Sequence, residues 1–174
     1  MKKILFLLLF LISINASAGT YYVSTTGNDG NAGTISAPWK TWQFGFTSLT
    51  AGDTLYIRSG TYTDMYGSYS TSFYGVRITA DGTAENPIVV MAYPSDPTAP
   101  VLDCSSLTDF DGNHYGIMHN SGDFWKIKGL HVKNVIEYNV GGIHKEADCW
   151  SLYGTNITIE NCIASGFKYF KYVI

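Results

Sequence analysis

The sequence WKIKGLHVKN, Trp125–Asn134, is matched in pattern 32 residues later by ITIENCIASG, Ile157–Gly166. In both stretches apolar residues alternate with polar ones, and the alternation slips by one position midway, at Gly129 and at Asn161. Alternation is typical of a half-buried β-strand, because successive side chains point to opposite faces of a sheet. The slip keeps both halves facing inward only if the chain turns a corner there. Glycine and asparagine best tolerate the left-handed backbone that such a corner needs.

Two stacked strand–corner–strand copies are the sequence pattern of a solenoid of parallel β-strands. The prediction for the inward residues is a parallel ladder, in which the first copy lies against the second. The residues are Trp125, Ile127, Leu130 and Val132 in one copy and Ile157, Ile159, Cys162 and Ala164 in the other. A β-sandwich with two similar strands is the alternative. In either case the predicted fold class is all-β.

The N-terminus has the features of a secretory signal peptide. Met1–Lys3 is basic, Ile4–Ile14 is almost wholly apolar, and Ala16–Ala18 supplies an A-x-A cleavage site. The apolar run is well short of the roughly 20 residues of a membrane span. We therefore expect residues 1–18 to be a signal peptide and residues 19–174 to form one exported domain with no membrane span, secreted, periplasmic or at the cell surface.

Charge and composition restrict the partners. Without Lys2 and Lys3, 9 of the 11 basic residues remain against 14 acidic ones, a net charge of −5. This argues against nucleic acid, because phosphate binding needs a basic field. The 18 glycines and the 15 % aromatic content fit a β-rich exported protein with many turns. Nothing in the sequence indicates the oligomeric state.

The chain has three cysteines, Cys104, Cys149 and Cys162. An odd number excludes a complete disulfide framework within one chain. A bridge between two of them, for example Cys149 and Cys162, is compatible with an oxidising compartment, as are three free thiols. The spacing of cysteine and histidine gives little support for a zinc site.

A short amphipathic helix is predicted near the start. Trp39, Trp42, Phe46 and Leu49 are spaced as one face of a helix, and Pro38 suits its first turn. Such a helix would cover the open end of the solenoid, which otherwise exposes core and unpaired strand edges.

Two segments read as loops. Thr25–Thr34 is rich in glycine, asparagine and aspartate, and we favour Asx turns over a calcium site there. Asp64–Tyr74 is rich in tyrosine, serine and glycine without periodicity, and predicts an excursion loop.

Eight segments, taken in order, carry a resemblance to a known family. They are Tyr21–Ser24, Gly27–Asp29, Gly33–Thr34, Ala37–Thr41, Ala51–Tyr62, Gly82–Ile88, Ala92–Pro94 and Pro100–Asp103. They resemble the N-terminal part of secreted right-handed parallel β-helix proteins of the pectate-lyase-like superfamily. The relatives include bacterial polysaccharide lyases of the pectate lyase and chondroitinase B/alginate lyase type. The resemblance implies a right-handed parallel β-helix, but this opening is shared by members with different substrates.

The resemblance also implies a longer protein. Such proteins run to several hundred residues, whereas this chain stops at Phe167–Ile174, where the Gly/Asn turn residues are lost. We therefore expect residues 19–174 to be the N-terminal portion of a truncated or incomplete β-helix domain. In the lyases the calcium-binding carboxylates and the catalytic Lys or Arg lie on later rungs. Calcium is thus implied for full-length relatives, and this chain itself shows no cofactor.

The first repeat copy offers candidate catalytic residues. β-Elimination on a uronate needs a base and a cation that neutralises the carboxylate. Lys126, Lys128, His131 and Lys133 take outward positions and would line a basic groove on one sheet, with Lys126 and His131 as the candidate catalytic residues. Arg77 and His144 are further candidate bases. A solvated strand face gives the same pattern, and we favour it.

Other residues suit sugar or metal binding. Tyr115 and Trp150, with Tyr153, would stack on sugar rings if exposed, although core positions are the simpler reading. A calcium cluster could be formed by Asp103, Asp109, Asp111 and Asn113. Loop solvation of these side chains is the favoured alternative, so no metal site is assigned.

Together these features predict an exported β-helix protein that acts on or binds polysaccharide and derives from a polysaccharide lyase. The alternatives are a non-catalytic glycan-binding or surface adhesin solenoid, and a glycoside hydrolase on the same fold. We expect the chain by itself to be inactive.

Overall fold

The computed structural model describes residues 18–63, 67–69, 72–107, 112–119, 122–137, 139–140, 143–144 and 147–166. The predicted signal peptide lies outside these residues apart from Ala18. In chain order the elements are β1 Thr20–Val23, α1 Trp42–Thr47, β2 Thr54–Ile57, β3 Thr61–Tyr62, β4 Ser68–Tyr69, β5 Ser72–Ile78, β6 Ile88–Ala92, β7 Val101–Asp103, β8 Asn113–His119, β9 Trp125–Lys128, β10 His131–Lys133, β11 Asn139–Val140, β12 Ile143–His144, β13 Ala147–Leu152, β14 Thr158–Glu160 and β15 Ile163–Ser165.

The strands form three sheets that the chain visits in rotation. The first sheet has the order β1-β2-β6-β9-β14, the second β15-β10-β7-β3 and the third β13-β8-β5-β4, with β11 and β12 paired separately. Within the three sheets every pairing is parallel except that of β4 with β5. Each pass through the sheets is therefore one turn of a parallel β-solenoid, which confirms the predicted architecture over a β-sandwich.

The two repeat copies stack as predicted. Ile127 lies beside Ile159 in the first sheet, and Val132 lies beside Ala164 in the second. The corner between each pair of strands has left-handed backbone, with φ of 72° at Gly129 and 52° at Asn161. The parity slip in the sequence is thus a real corner. It buries both halves of the first copy, whereas Ile159 and Ala164 of the second copy are exposed.

All four residues of the predicted helical face are buried, but the helix is shorter than their spacing indicates. Trp42 and Phe46 lie within α1, whereas Trp39 forms a bridge with Val23 before the helix begins. The carboxylate of Asp29 accepts hydrogen bonds from the N–H groups of Lys40 and Thr41, and the Thr41 side chain caps the helix. These bonds hold the segment around Pro38 extended, so Pro38 precedes the helix instead of opening it.

Gly45 lets the helix approach the sheets closely. A Cβ there would lie 2.8 Å from a Val23 methyl group and 2.9 Å from a Leu55 methyl group. The helix can therefore insert Phe46 into the core, where its ring stacks on Trp125 with centroids 5.9 Å apart. The cap is continuous with the apolar interior of the solenoid.

The loop predicted over Asp64–Tyr74 is wrong at Ser68–Tyr69, which form β4, and for its last residues. Ser72–Tyr74 belong to β5 and pair in parallel with Asn113–Tyr115 of β8. The buried ring of Tyr74 packs in a cluster with Tyr115 and Met118. Pairing with the next turn makes this segment a strand, and local periodicity carries no sign of that pairing.

The three cysteines are free thiols in this structure. Burial raises the pKa of Cys149 to about 11, and burial also raises the pKa values of Cys104 and Cys162. Within the part of the chain that the structure describes, no helix has the length and apolar character needed to cross a membrane.

Candidate functional site

The outer face of the first sheet carries the lysines predicted as candidates. Along β9, Lys126 and Lys128 are exposed while Trp125 and Ile127 are buried. The Lys128 ammonium lies 3.2 Å from a Glu160 carboxylate oxygen, and both side chains are about half exposed. Exposed pairs of this kind contribute little and exchange readily with other ions. Lys126 makes no hydrogen bond or ion pair with the other described residues.

The corner at Gly129 separates the predicted basic residues. Lys126 lies in β9 on the first sheet, whereas His131 and Lys133 lie in β10 on the second sheet. The sheet order therefore contradicts a groove formed by all four side chains on one sheet, which was the less favoured alternative to a solvated strand face. A corner keeps both halves inward, but it also turns their outward faces away from each other.

His131 is tied to the neighbouring turn. Its Nε2 atom lies 2.7 Å from the hydroxyl oxygen of Ser165. Partial burial lowers the pKa of His131, and the charge of Lys133 lowers it further. The imidazole is therefore neutral near pH 7, as a general base must be, although its Nε2 is engaged within the solenoid.

Asp103 stabilises the second-sheet corner. Burial alone would raise its pKa, but hydrogen bonds from Asn134, from the Ser105 N–H and from Lys133 outweigh burial and lower the pKa to about 2. One Asp103 oxygen is 2.9 Å from Asn134 Nδ2 and the other is 3.1 Å from Lys133 Nζ. These donors use the carboxylate oxygens that a cation would need.

The described residues do not fit the calcium site that the resemblance allows for relatives. Among them, no group of three His, Cys, Asp or Glu side chains is arranged to hold a metal. Asp109 and Asp111, which we considered together with Asp103, lie outside the described residues. No chemical step is therefore assigned to calcium in this part of the chain.

The two candidate sugar-stacking residues occupy the third sheet. The Tyr115 ring is only 7 % exposed and packs with Tyr74 and Met118. Trp150 is half-buried and packs against the main core. Tyr153, which follows β13, is 62 % exposed and offers a more open ring than either of them.

The two remaining candidate bases, Arg77 and His144, do not lie next to Lys126. Arg77 lies in β5, where its backbone N–H and C=O both bond to the side chain of Gln43. His144 lies in β12, and its side chain is outside what the structure describes. Neither residue is placed beside Lys126 by the pairing of the sheets.

An aromatic cluster on the first sheet was missed by sequence reasoning. Tyr22, Tyr56 and Tyr93 contact one another, with ring centroids between 5.5 and 5.8 Å apart. Beside them the Arg58 guanidinium forms a two-point ion pair with Asp96. The signal in the sequence was the outward parity of Tyr22 and Tyr56 in their strands and of Tyr93 directly after β6, but only the tertiary structure shows that they meet.

The arrangement suits binding of an acidic polymer better than proton abstraction. The first sheet presents cations and tyrosine hydroxyls on one outward face. Elimination would need a base and a carboxylate-neutralising cation, both held against the same uronate. Within the described residues, Lys126 and His131 are on different sheets and do not form that pair.

Comparison with protein families gives one match over most of the chain. Residues 21–169 match the family described as the Pel9A-like right-handed β-helix region. Two curated relatives are pectate lyases. Pectate lyase PEL9 of Emericella nidulans is 36 % identical over 162 residues, and pectate lyase L of Paenibacillus polymyxa is 34 % identical over 149 residues. The alignments cover 87 % and 86 % of this chain but 35 % and 28 % of the relatives, so the chain spans about a third of their length.

Solved structures share the fold. A rhamnogalacturonan lyase has a TM-score of 0.59 at 27 % identity, covering 67 % of this chain and 29 % of that chain. Pectate lyase Pel9A has a TM-score of 0.58 at 24 % identity, covering 83 % and 32 %. The GH136 lacto-N-biosidase of Eubacterium ramulus has a TM-score of 0.62 at 18 % identity, covering 84 % and 27 %. The last two similarities concern the fold alone.

Proposed function

Because this chain belongs to the Pel9A-like right-handed β-helix family, we propose that it supplies the cap and first turns of an exported polysaccharide lyase that acts on uronate polymers. The observation that carries the proposal is the family match over residues 21–169, supported by two pectate lyases that are more than 30 % identical. Export rests on the predicted signal peptide in residues 1–18.

In this proposal the described turns bind the polysaccharide and support the solenoid, and they do not themselves abstract the proton. Elimination removes the proton beside the uronate carboxylate and expels the glycosidic oxygen. A base and a cation that neutralises this carboxylate must therefore be held together. The sheets separate Lys126 from His131, and His131 Nε2 is occupied by Ser165. The exposed lysines of β9 are suited to holding the carboxylate of a bound chain.

A non-catalytic glycan-binding module is the second candidate. It is favoured by the outward face that combines lysines with the tyrosine cluster, because this face needs no further turns to bind a sugar. The two candidates differ in one respect. A lyase segment should complete an enzyme when it replaces the equivalent turns of a relative, whereas a binding module should not.

A chimera tests this difference. Residues 19–166 would replace the aligned segment of pectate lyase PEL9, and absorbance would report unsaturated products from pectate, alginate and chondroitin. We expect the chimera to cleave a uronate polymer. A chimera with an intact far-UV spectrum and a cooperative melt but no turnover would contradict the lyase proposal and favour the binding module.

A further inference from the structure

Three tyrosines on the outer face of the first sheet form a fixed cluster. Tyr22 and Tyr56 are register partners in β1 and β2, and their rings stack at 5.5 Å with an interplanar angle of 28°. Tyr93 follows β6 and meets both rings edge-on, at 5.8 and 5.6 Å. Each ring is half-buried by the other two, so the cluster is held in place by its own packing.

An ion pair fixes one side of this cluster. Arg58 Nε and Nη2 donate to the two oxygens of Asp96 at 2.8 and 2.9 Å, and the Ser59 N–H adds a bond of 2.7 Å. The hydrogen bond with Arg58 lowers the pKa of Asp96, so the pair stays charged at neutral pH. The guanidinium lies 4.8 Å from the centroid of the Tyr93 ring. Its Nη1 has no partner among the described residues and remains free to donate.

The polar groups of the cluster are unused. The hydroxyls of Tyr22, Tyr56 and Tyr93 form no hydrogen bond with the other described residues. None of the three hydroxyl oxygens is among the buried atoms that lack a partner, so all three are accessible. They therefore reach solvent from a rigid base. A group of preorganised donors of this kind loses little conformational entropy when a ligand binds.

The charge of the same face indicates the kind of ligand. In the register of the first sheet, Tyr56 is followed by Met91 and then by Lys128, two strand spacings or roughly 10 Å away. Lys126 lies on the same outward face of β9 and has no ion-pair partner among the described residues. A ligand that spans the face thus meets hydroxyl and guanidinium donors at one end, and at the other the Lys126 ammonium beside the Lys128–Glu160 ion pair.

We propose that this face is a binding subsite for an acidic oligosaccharide, a chain of hexuronate units lying along the solenoid axis. One sugar hydrogen-bonds to the tyrosine hydroxyls and to Arg58 Nη1, and the carboxylate of a later sugar pairs with Lys126. The subsite deepens the proposed function and rests on it, because a uronate polymer is the substrate class of that proposal. It binds polymer and takes no part in the chemical step.

The test is titration of purified residues 19–174 with tetragalacturonate, with maltotetraose as the neutral comparator, measured by calorimetry. The double variant Tyr56→Phe/Tyr93→Phe keeps the rings and removes two hydroxyls, and we expect about 5- to 30-fold weaker binding. Lys126→Ala should weaken binding about 2- to 5-fold and reduce its dependence on salt. The matched control is Lys40→Ala, an exposed lysine outside the first sheet, which should bind as the wild type does.

The outcomes separate the subsite from the proposed function. Binding that is tight for tetragalacturonate yet unchanged in the double variant would overturn the subsite and leave the uronate lyase proposal standing. Equal binding of maltotetraose would overturn the choice of an acidic ligand. Absence of binding at millimolar concentrations would overturn the subsite, while an active chimera would still support the proposed function.

Discussion

The side-chain amide of Gln43 pairs with the backbone of Arg77 as a residue of a neighbouring strand would. The Arg77 N–H donates to Gln43 Oε1 at 2.6 Å, and Gln43 Nε2 donates to the Arg77 carbonyl at 3.3 Å. Gln43 is 6 % exposed. In β5 only Ser72 and Phe73 pair with β4, so α1 closes the rest of that edge with a side chain.

Removing this amide should destabilise the fold. Gln43→Ala leaves the Arg77 N–H and C=O without these partners in a buried place, and we expect a loss of about 1–3 kcal/mol in urea unfolding. Gln43→Met is the matched variant, because it restores most of the side-chain volume without the two hydrogen bonds. A Met variant as stable as the wild type would show that Gln43 acts only by filling space.

The cap should depend on one tryptophan. Trp42 is 1 % exposed and lies 6.3 Å from Phe46 and 5.6 Å from Tyr62, measured between ring centroids. We expect Trp42→Ala to cost about 3–5 kcal/mol, the usual range for an aromatic side chain lost from a core. Phe44→Ala on the same helix is the control, since Phe44 is 38 % exposed. Similar losses for the two variants, or a Trp42→Ala loss under about 1 kcal/mol, would mean that the helix is peripheral.

The corner at Asn161 should tolerate few residues. Its φ of 52° lies in the left-handed region, and the residue is exposed, so backbone strain outweighs packing there. We expect Asn161→Gly to change the free energy of unfolding by less than about 0.5 kcal/mol and Asn161→Val to cost about 1–2 kcal/mol. Thermal unfolding of the two variants measures this difference, which vanishes if the corner relaxes to another backbone conformation.

A buried histidine should make the fold sensitive to acid. His119 Nδ1 lies 2.7 Å from the Tyr153 carbonyl oxygen and donates to it, while its buried Nε2 has no hydrogen-bond partner in the described part of the chain. Burial lowers the pKa of His119 below 6.5, although the bond to Tyr153 and the charges of Asp123 and Asp81 raise it in part.

The free energy of unfolding should decrease as the pH falls, because the unfolded chain binds the His119 proton more readily than the folded chain does. Below pH 6.5 the unfolded chain takes up a proton that the folded chain resists, so stability is full above that pH and falls as pH decreases. The slope from one such group is at most about 1.4 kcal/mol per pH unit. We expect His119→Gln to flatten the slope in urea unfolding between roughly pH 6.5 and 5. An unchanged slope would assign the sensitivity to another group.

The chain by itself should not depolymerise uronate polymers. Lys126 and His131 lie on different sheets, and His131 Nε2 is engaged with the hydroxyl of Ser165. We expect no unsaturated product from pectate, alginate or chondroitin with purified residues 19–174, with or without calcium. Turnover that is lost in Lys126→Ala or His131→Ala would contradict this and place a catalytic site on the first repeat copy.

The sequence by itself determined which side chains face the core and where the chain turns. Alternation in Trp125–Lys128 and the slip at Gly129 were sufficient to predict two strands and a corner, because side-chain direction and left-handed backbone are local properties. The burial of Trp42 and Phe46 followed from helical spacing for the same reason.

Only the tertiary structure decided which outward residues meet. Tyr22 and Tyr56 are 34 positions apart in the sequence, yet they lie side by side in neighbouring strands. Lys126 and His131 are only five positions apart, yet they lie on different sheets. Contacts between turns depend on the lengths and paths of the loops that join the sheets, and a periodic pattern within one strand carries no information about them. The same holds for Gln43, whose partner Arg77 is fixed by how far the cap inserts into the end of the solenoid.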